Sequence, residues 1–460
     1  MADVPIPGPQ LTHEADLGRS IPDRVHGLMA ALWSAGHSVY VEGGSVRDPL
    51  LGREPSEDWD LATSALPEQV LDIFPGEAVY ENRFGTVAVR GAEITTLRSD
   101  HEYADHRRPH HVEFTDSIDL DLGRRDFTIN AMAWGAPAGS PPTLVDPYAG
   151  RGDLRHGVLR AVGDPDARFR EDALRMVRAV RFAATLDYEI EPATRAAIAA
   201  NAPLVAHLSG ERLAVELSKI LATPRPSVGL RLMAETGILA QVSPDLAAQR
   251  GVPQNKVPGE DLWDHTLRAV DAARPDQPVV RLAALLHDIG KPGSFADGRF
   301  LRHEISGAEL AAGLLDDLRW PRVDRDRVVH LVRQHMFGYE TTWSDTAVRR
   351  FIAKIGRASL ADLFALREAD NIGSGHGPTA GRLDELRERI DAQLAANVAL
   401  DLSGLAVDGD DLMSELGIRP GPWVGRLLDG LLERVIADPR LNRRDTLIRL
   451  ARAMPGEGAS

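Results

Sequence analysis

Asp58 and Asp60 flank a single tryptophan in the run Asp58-Trp59-Asp60. On a strand, residues two apart share a face, so both carboxylates would point at one spot. Carboxylates that close repel one another unless a cation lies between them. Mg²⁺ is the hard, oxygen-seeking ion that such a pair holds together with phosphate oxygens. Upstream, Gly43-Gly44 ends the short apolar run Val39-Tyr40-Val41. Adjacent glycines permit a tight turn and let backbone N–H groups approach a ligand closely. A helix from Val46 to Leu51 would then aim its N-terminus, and Arg47, at an anion such as a triphosphate. A glycine turn alone or an acidic pair alone reads equally well as a plain turn and a solvated loop. Together, in this order, they read as triphosphate and magnesium.

Three further stretches carry chemistry. Residues 124–134, RRDFTINAMAW, embed Arg124, Arg125, Asp126 and Asn130 in apolar sequence, where polar groups must find partners; a ribose hydroxyl is one, and a helix start capped by Asp126 is the alternative. Residues 170–186, REDALRMVRAVRFAATL, read as one helix with Glu171 and Asp172 in its first turn, as the macrodipole favours, and with Arg175, Arg178 and Arg181 at steps of three. An aspartate beside an arginine offers an acceptor and a planar donor fork, which suits the hydrogen-bonding edge of a base; an intrahelical salt-bridge strip is the competing reading. Further on, His287-Asp288 ends an apolar helix that Gly290 and Pro292 stop. Adjacent histidine and aspartate there are good N/O metal ligands, and His265, His303, His335 and Asp370 lie around them in the chain.

The ordered set GGSVRD, DWD, RRDFTIN and EDALR resembles the DNA-polymerase-beta-like nucleotidyltransferases, and within them the bacterial class II tRNA nucleotidyltransferase and poly(A) polymerase group. The resemblance covers roughly 40–380. It implies that Asp58 and Asp60 hold Mg²⁺ with Glu93 of the segment EITTLR as the third carboxylate. It implies that Gly43, Gly44 and Arg47 hold phosphates, and that Arg125, Asp126 and Asn130 contact ribose or phosphate. Asp172 and Arg175 would face the base of CTP or ATP, with Arg178 and Arg181 in support. The charged segment 98–114 reads from composition as a mobile loop. It is similar to the family's flexible loop for switching from C to A, with Arg98, Asp100, Asp105 and Arg107 as contributors. The histidine series resembles the HD-superfamily metal phosphohydrolases, which implies His265, His287, Asp288 and Asp370 as ligands of a divalent ion of unspecified identity. His303 and His335 would then be available to a second ion. The alternative there is an HD fold kept as a spacer with its histidines hydrogen-bonded.

These residues need elements to position them. At 460 residues, with 43% hydrophobic and 26% charged residues, the chain is ordinary globular material of several domains. The patterning gives an α+β class, a small mixed sheet followed by helices, and the resemblance implies a nucleotidyltransferase head over 1–155, an all-helical neck over 156–250, an HD domain over 251–375 and a helical tail over 376–460. Residues 249–260, QRGVPQNKVPGE, read as a linker. Cysteine is absent, which excludes disulfides and thiolate metal sites. No apolar run reaches the roughly 18 residues of a membrane span, and the first twenty residues show no export signal, so a cytoplasmic protein is expected. The net charge of −15 argues against a basic nucleic-acid binder overall but not against local patches, and Arg-rich strips lie at Arg98–Arg108, Arg168–Arg181 and Arg434–Arg449. The function expected is template-independent addition of C, C and A to tRNA 3′ ends from CTP and ATP, with the tail against the tRNA elbow and phosphohydrolase activity at the HD site. Alternatives are a poly(A) polymerase of the same fold, or an HD metal phosphohydrolase whose head merely binds RNA.

Overall fold

A computed structural model describes residues 11–54, 58–82, 85–103, 109–254, 256–296 and 299–454. The chain divides into two compact units, Met1–Ala247 and Ala248–Ser460.

The first unit is built on a seven-stranded sheet. Its strands are β1 (Val39–Glu42), β2 (Trp59–Thr63), β3 (Ala78–Asn82), β4 (Thr86–Val89), β5 (Ala92–Thr96), β8 (Ala133–Ala136) and β9 (Thr143–Val145), in the order β3-β4-β5-β2-β1-β8-β9. The central strands are short and apolar because both their faces are covered: all four residues of β1 are buried. β2 runs antiparallel to β1 and parallel to β5, with Asp60 opposite Glu93. The helix Asp23–Ser34 buries Val25, Leu28, Met29 and Leu32 at the 3.6-residue period read from the sequence. Tyr40, Ala62, Leu97, Leu122 and Ala133 form a core cluster.

β8 approaches β1 so closely that a side chain has no room at one position. A Cβ on Gly135 would fall 2.1 Å from Val39 O and 2.7 Å from Tyr40 Cα, both rigid backbone atoms. Gly135→Ala is expected to destabilise this unit by about 1–3 kcal/mol or more, read as a lowered urea midpoint; an unchanged midpoint would mean that the strands separate freely here.

The described residues of the segment 98–114 are strands and not irregular loop. Arg98–Tyr103 (β6) and Pro109–Phe114 (β7) pair as an antiparallel hairpin, from Arg98 opposite Phe114 to Tyr103 opposite Pro109. The sequence hid it because its charged and histidine-rich residues give no apolar alternation, the main signal for a strand.

Residues 170–186 are not one helix either. The helix Pro165–Glu171 ends at Asp172, whose backbone is extended, and a new helix runs Leu174–Leu186. Asp172 Oδ1 accepts the Leu174 N–H at 3.0 Å, so this aspartate caps the second helix from outside it. Gly210–Leu221 and Pro226–Glu235 pack beside Leu174–Leu186.

The second unit is helical. Leu262–Ala272, Pro278–Leu286, His303–Asp317, Arg322–Gln334 and Leu360–Gly373 surround the histidines. Towards its end, Leu412, Leu427, Leu431, Val435 and Leu447 make a separate apolar cluster. The buried Arg349 reaches across to it, donating to the Ile436 and Ala437 carbonyls at 2.6 and 3.2 Å and closing the end of the helix Pro422–Ala437. No helix among the described residues is long and apolar enough to cross a membrane.

Candidate nucleotidyltransferase and metal sites

In the head, Asp60 and Glu93 are register partners on adjacent strands, which puts both carboxylates on one sheet face. Asp58 lies immediately before β2, two residues from Asp60. Burial raises the Asp60 carboxyl above its usual value; Arg125 opposes this and Asp58 adds to it. Burial also raises Glu93, helped by Asp60, Glu81 and Asp58. Carboxylates that push one another's protons on are a site short of positive charge, and all three offer hard oxygen donors of the kind Mg²⁺ takes.

Gly43 turns the chain at φ 64°, a left-handed conformation open to glycine. The helix Gly44–Leu50 follows, starting two residues earlier and ending one residue earlier than the expected Val46 to Leu51. Arg47 grips Asp48 through Nε at 2.8 Å and Nη2 at 2.9 Å, and its Nη1 donates to Asn130 Oδ1 at 2.6 Å. Asn130 in turn donates to Asp126 Oδ1 at 3.0 Å, and Arg178 donates to Asp126 Oδ2 at 2.8 Å. Arg47, Asn130, Asp126 and Arg178 are therefore one connected network behind the glycine turn. Phe182 anchors it, with the guanidinium carbons of Arg47, Arg178 and Arg181 at 5.1, 5.4 and 4.0 Å from its ring centre.

Burial would raise the Asp126 carboxyl, but Arg178 and Asn130 overcome it and hold the group down at about 2. A carboxylate depressed in the folded state stabilises fully above its unfolded value near 4 and loses that stabilisation as pH falls towards 2. Asp126→Asn should therefore cost roughly 2 kcal/mol at pH 7, and the gap from the parent should close between pH 4 and 2. Denaturant titrations across that range measure it; a gap independent of pH would mean that Asp126 acts by shape alone.

The residues expected to face the base already have partners within the protein. Arg175 donates to Glu171 at 2.7 Å and to the Arg124 and Arg168 carbonyls at 2.9 and 3.2 Å. Asp172 pairs with Arg212 at 2.7 Å. Arg181 pairs with the buried Glu216 at 2.5 Å. Arg98 donates its backbone N–H to Asp121 at 3.1 Å, and Asp100 stands opposite Val112 on the hairpin. Asp105 and Arg107 lie outside the described residues.

Sequence reasoning passed over Glu42. It is buried on β1 beneath the glycine turn and ion-paired to Arg125, which also faces Asp121 at 3.5 Å. Burial pushes Glu42 up to about 7, with Asp121 and Asp60 adding to the rise and Arg125 and Arg124 opposing it. A charged residue ending an otherwise apolar strand was the available signal.

In the second unit the expected histidines do converge. His265 and His287 Nε2 lie 3.1 Å apart, and Asp288 Oδ2 is 3.3 and 3.1 Å from them. Asp370 Oδ1 is 3.3 Å from His265 and 3.8 Å from His287. On the other side of Asp288, Oδ1 is 3.3 Å from His303 Nε2 and 3.6 Å from His335 Nε2. Asp288 thus joins two groups of donors, each buried and each compact enough for one ion. His287, His335 and His303 turn Nδ1 to the carbonyls of Ala284, Val332 and Phe300 at 2.8, 2.7 and 3.4 Å. A ring that donates from Nδ1 keeps its Nε2 lone pair for a metal.

The Nε2 atoms of His303 and His335 and Asp288 Oδ1 are buried with no hydrogen-bond partner, an arrangement that a cation would complete. Burial would raise Asp288 and Asp370, yet His287, Lys291 and His265 around the first, and His265, His287 and Lys256 around the second, hold both well below the ordinary carboxylate range. They are ionised, as metal ligation requires.

Residues 39–160 match the family described as "Poly A polymerase head domain", 187–250 the "Probable RNA and SrmB- binding site of polymerase A", and 260–375 the "HD domain". Such a head, with its acidic row beside a glycine turn and an arginine-bearing helix behind it, defines a nucleotidyltransferase, carried here on one chain with an HD-type unit.

The chain belongs to the CCA-adding enzyme family. It is 34% identical over 426 residues to the CCA-adding enzyme of Geobacillus stearothermophilus, covering 92% of this chain and 94% of that protein. It is 35% identical over 436 residues to that of Geobacillus kaustophilus, again covering 92% and 94%. The crystal structure of the Bacillus stearothermophilus CCA-adding enzyme in complex with CTP is 31% identical, with a TM-score of 0.67 over 93% of this chain and 96% of that one.

Proposed function

We propose that the head adds C, C and A in turn to tRNA 3′ ends from CTP and ATP, without a template. The observation that carries the reading is the pairing of Asp60 with Glu93 across β2 and β5, two residues from Asp58 and beside the Gly43 turn. Mg²⁺ held by Asp58, Asp60 and Glu93 would supply activation of the terminal hydroxyl and neutralisation of the triphosphate. Gly43, Gly44 and Arg47 bind the phosphates, while Arg125, Asp126 and Asn130 hold the sugar end of the nucleotide. The 3′ oxygen bonds to the α-phosphorus, the α–β bridging bond breaks, pyrophosphate leaves, and the hydroxyl proton passes to solvent. A tRNA substrate fits a cytoplasmic enzyme, with the tail from 376 onward against the elbow. The division into head, neck, HD domain and tail at 155, 250 and 375 belongs to the same proposal.

Asp172 and Arg175 choose the base by exchanging their present partners, Arg212 and Glu171, for its hydrogen-bonding edge. Arg175→Ala is expected to relax the preference for CTP and ATP over GTP and UTP by at least about tenfold while leaving Mg²⁺ dependence intact. Single-nucleotide incorporation assays on truncated tRNA test this, and undiminished selectivity would sink the assignment.

A second reading concerns the other unit, and the unpartnered buried donors of His303, His335 and Asp288 favour it. The HD cluster binds a divalent ion through His265, His287, Asp288 and Asp370, with His303 and His335 open to a second, and hydrolyses phosphoesters. There a water oxygen bonds to phosphorus, the ester P–O bond breaks, and the departing alkoxide takes the water's proton.

A further inference from the structure

Residues 249–260 have the composition of a linker, yet this stretch folds onto the HD cluster. The Val252 carbonyl accepts the Leu262 N–H at 2.8 Å, and Pro253 bridges to Asp261. This return brings two side chains to the donors. Gln254 Nε2 donates to Asp288 Oδ2 at 3.4 Å, and its Oε1 is buried without a hydrogen-bond partner. Lys256 Nζ donates to Ser374 Oγ at 2.8 Å and stands 3.7 Å from Asp370 Oδ1.

Two more cations converge on the same carboxylates. Lys291, itself buried, donates from Nζ to Asp288 Oδ2 at 2.5 Å, and Arg367 Nη1 donates to Asp370 Oδ2 at 3.4 Å. A divalent ion on Asp288 and Asp370 would neutralise these carboxylates and leave the ammonium groups without their anions. Three cations crowded at one mouth are then unfavourable unless a further anion joins them. Burial lowers the Lys256 pKa and the nearby Lys291 lowers it further, in line with that crowding. The Lys256 side chain keeps 33% of its surface exposed, which places it at the mouth and not among the ligands.

We propose that Lys256 and Lys291, with Gln254 beside them, form an anion seat at the HD site, and that the group it takes is a phosphomonoester. The proposal rests on the phosphohydrolase reading above. Charge selects the monoester. Lys256, Lys291 and Arg367 are balanced by Asp288, Asp370 and Glu304, the last with its carboxylate 4.0 Å from His303. With neutral histidines, one divalent ion leaves two positive charges over. A phosphomonoester dianion cancels both, whereas a diester cancels one. Lys256 is a binding residue in this scheme, and its Nζ turns from Asp370 to the phosphate when the metal is bound.

The test uses the full chain loaded with Mn²⁺. Calorimetric titration with inorganic phosphate should show binding that weakens about tenfold in Lys256→Ala, the loss of one charge-assisted contact, and returns to within about threefold in Lys256→Arg, which keeps the charge. p-Nitrophenyl phosphate should be hydrolysed in preference to bis(p-nitrophenyl) phosphate, with KM and not kcat raised in Lys256→Ala. Phosphate binding equal in parent and Lys256→Ala, a loss that arginine does not restore, or preference for the diester would each overturn the proposal. If His287→Ala abolishes hydrolysis while Lys256→Ala leaves KM unchanged, the anion seat alone is wrong. If His287→Ala leaves hydrolysis unchanged, the phosphohydrolase reading falls and the seat with it.

Discussion

Asp60→Ala is expected to abolish nucleotide addition, lowering turnover by roughly a thousandfold or more, equivalent to about 4 kcal/mol of barrier. Asp60 occupies the middle of the acidic row: Glu93 is its register partner on one side and Asp58 precedes it by two residues. Its removal would take one oxygen donor from the proposed Mg²⁺ site and would also free Arg125, which faces Asp60 as well as Glu42 and Asp121. Burial holds the Asp60 carboxyl above its usual value, so its charge does not stabilise the fold; the fold should survive, and unchanged far-UV circular dichroism and undiminished melting would establish that. Asp60→Asn should be nearly as damaging, because it keeps the shape and one oxygen but not the charge. Raising Mg²⁺ should recover some of the asparagine variant's rate and little of the alanine variant's. Equal activity of parent and alanine variant would remove the head from the chemistry and favour an HD enzyme whose head only binds RNA.

The second large effect is at the other unit. His287→Ala should empty the HD site, seen as loss of tightly bound divalent metal on elemental analysis after dialysis and as loss of phosphoester hydrolysis to background. His287 Nε2 lies 3.1 Å from both His265 Nε2 and Asp288 Oδ2, at the centre of the first donor group. Burial depresses the His287 pKa, and its Nδ1 faces the Ala284 carbonyl at 2.8 Å, which leaves Nε2 for a metal. CCA addition by the same variant should persist, since the head and the HD cluster belong to separate compact units. Metal retained at parental stoichiometry would mean that the histidines are a hydrogen-bonded core, the spacer reading of this fold.

Much of the head was legible because its chemistry is local in sequence. The glycine turn, Arg47 and the DWD pair are short, ordered strings whose geometry follows from backbone rules alone: left-handed φ at Gly43, and one face for residues two apart on β2. The convergence of the HD series was legible for a different reason: a histidine–aspartate pair at the end of an apolar helix, with further histidines in order around it, is a pattern of N and O donors.

What escaped reading depended on partners distant in the chain. Glu42 looks like any strand-end glutamate until Arg125 folds back onto it. The break at Asp172 is hard to see in a run of good helix formers, and the residue that pairs with Asp172 there, Arg212, lies forty positions away. The strands Arg98–Tyr103 and Pro109–Phe114 carry too little apolar sequence to show the alternation of a half-buried strand. The stretch 249–260 has a linker's glycines and prolines, and only its return to Leu262 brings Gln254 and Lys256 to Asp288 and Asp370. In each case composition reported the local chain correctly, and a contact far along the sequence decided the outcome.

The connected network from Arg47 through Asn130 and Asp126 to Arg178 joins the helix Gly44–Leu50 to the helix Leu174–Leu186. In the proposed function, base readers on the second helix would shift partners while the phosphate end at Arg47 stays fixed.

One incubation measures the order in which nucleotides are added. Purified protein with Mg²⁺ is given tRNA lacking its last three nucleotides, with CTP alone, ATP alone, or both, and the products are sequenced. Two C residues with CTP alone, C-C-A and then arrest with both, and no long tail with ATP alone are the expected results. Long A tails with ATP alone, on this tRNA or any other RNA, would contradict the account and make the protein a poly(A) polymerase of the same fold.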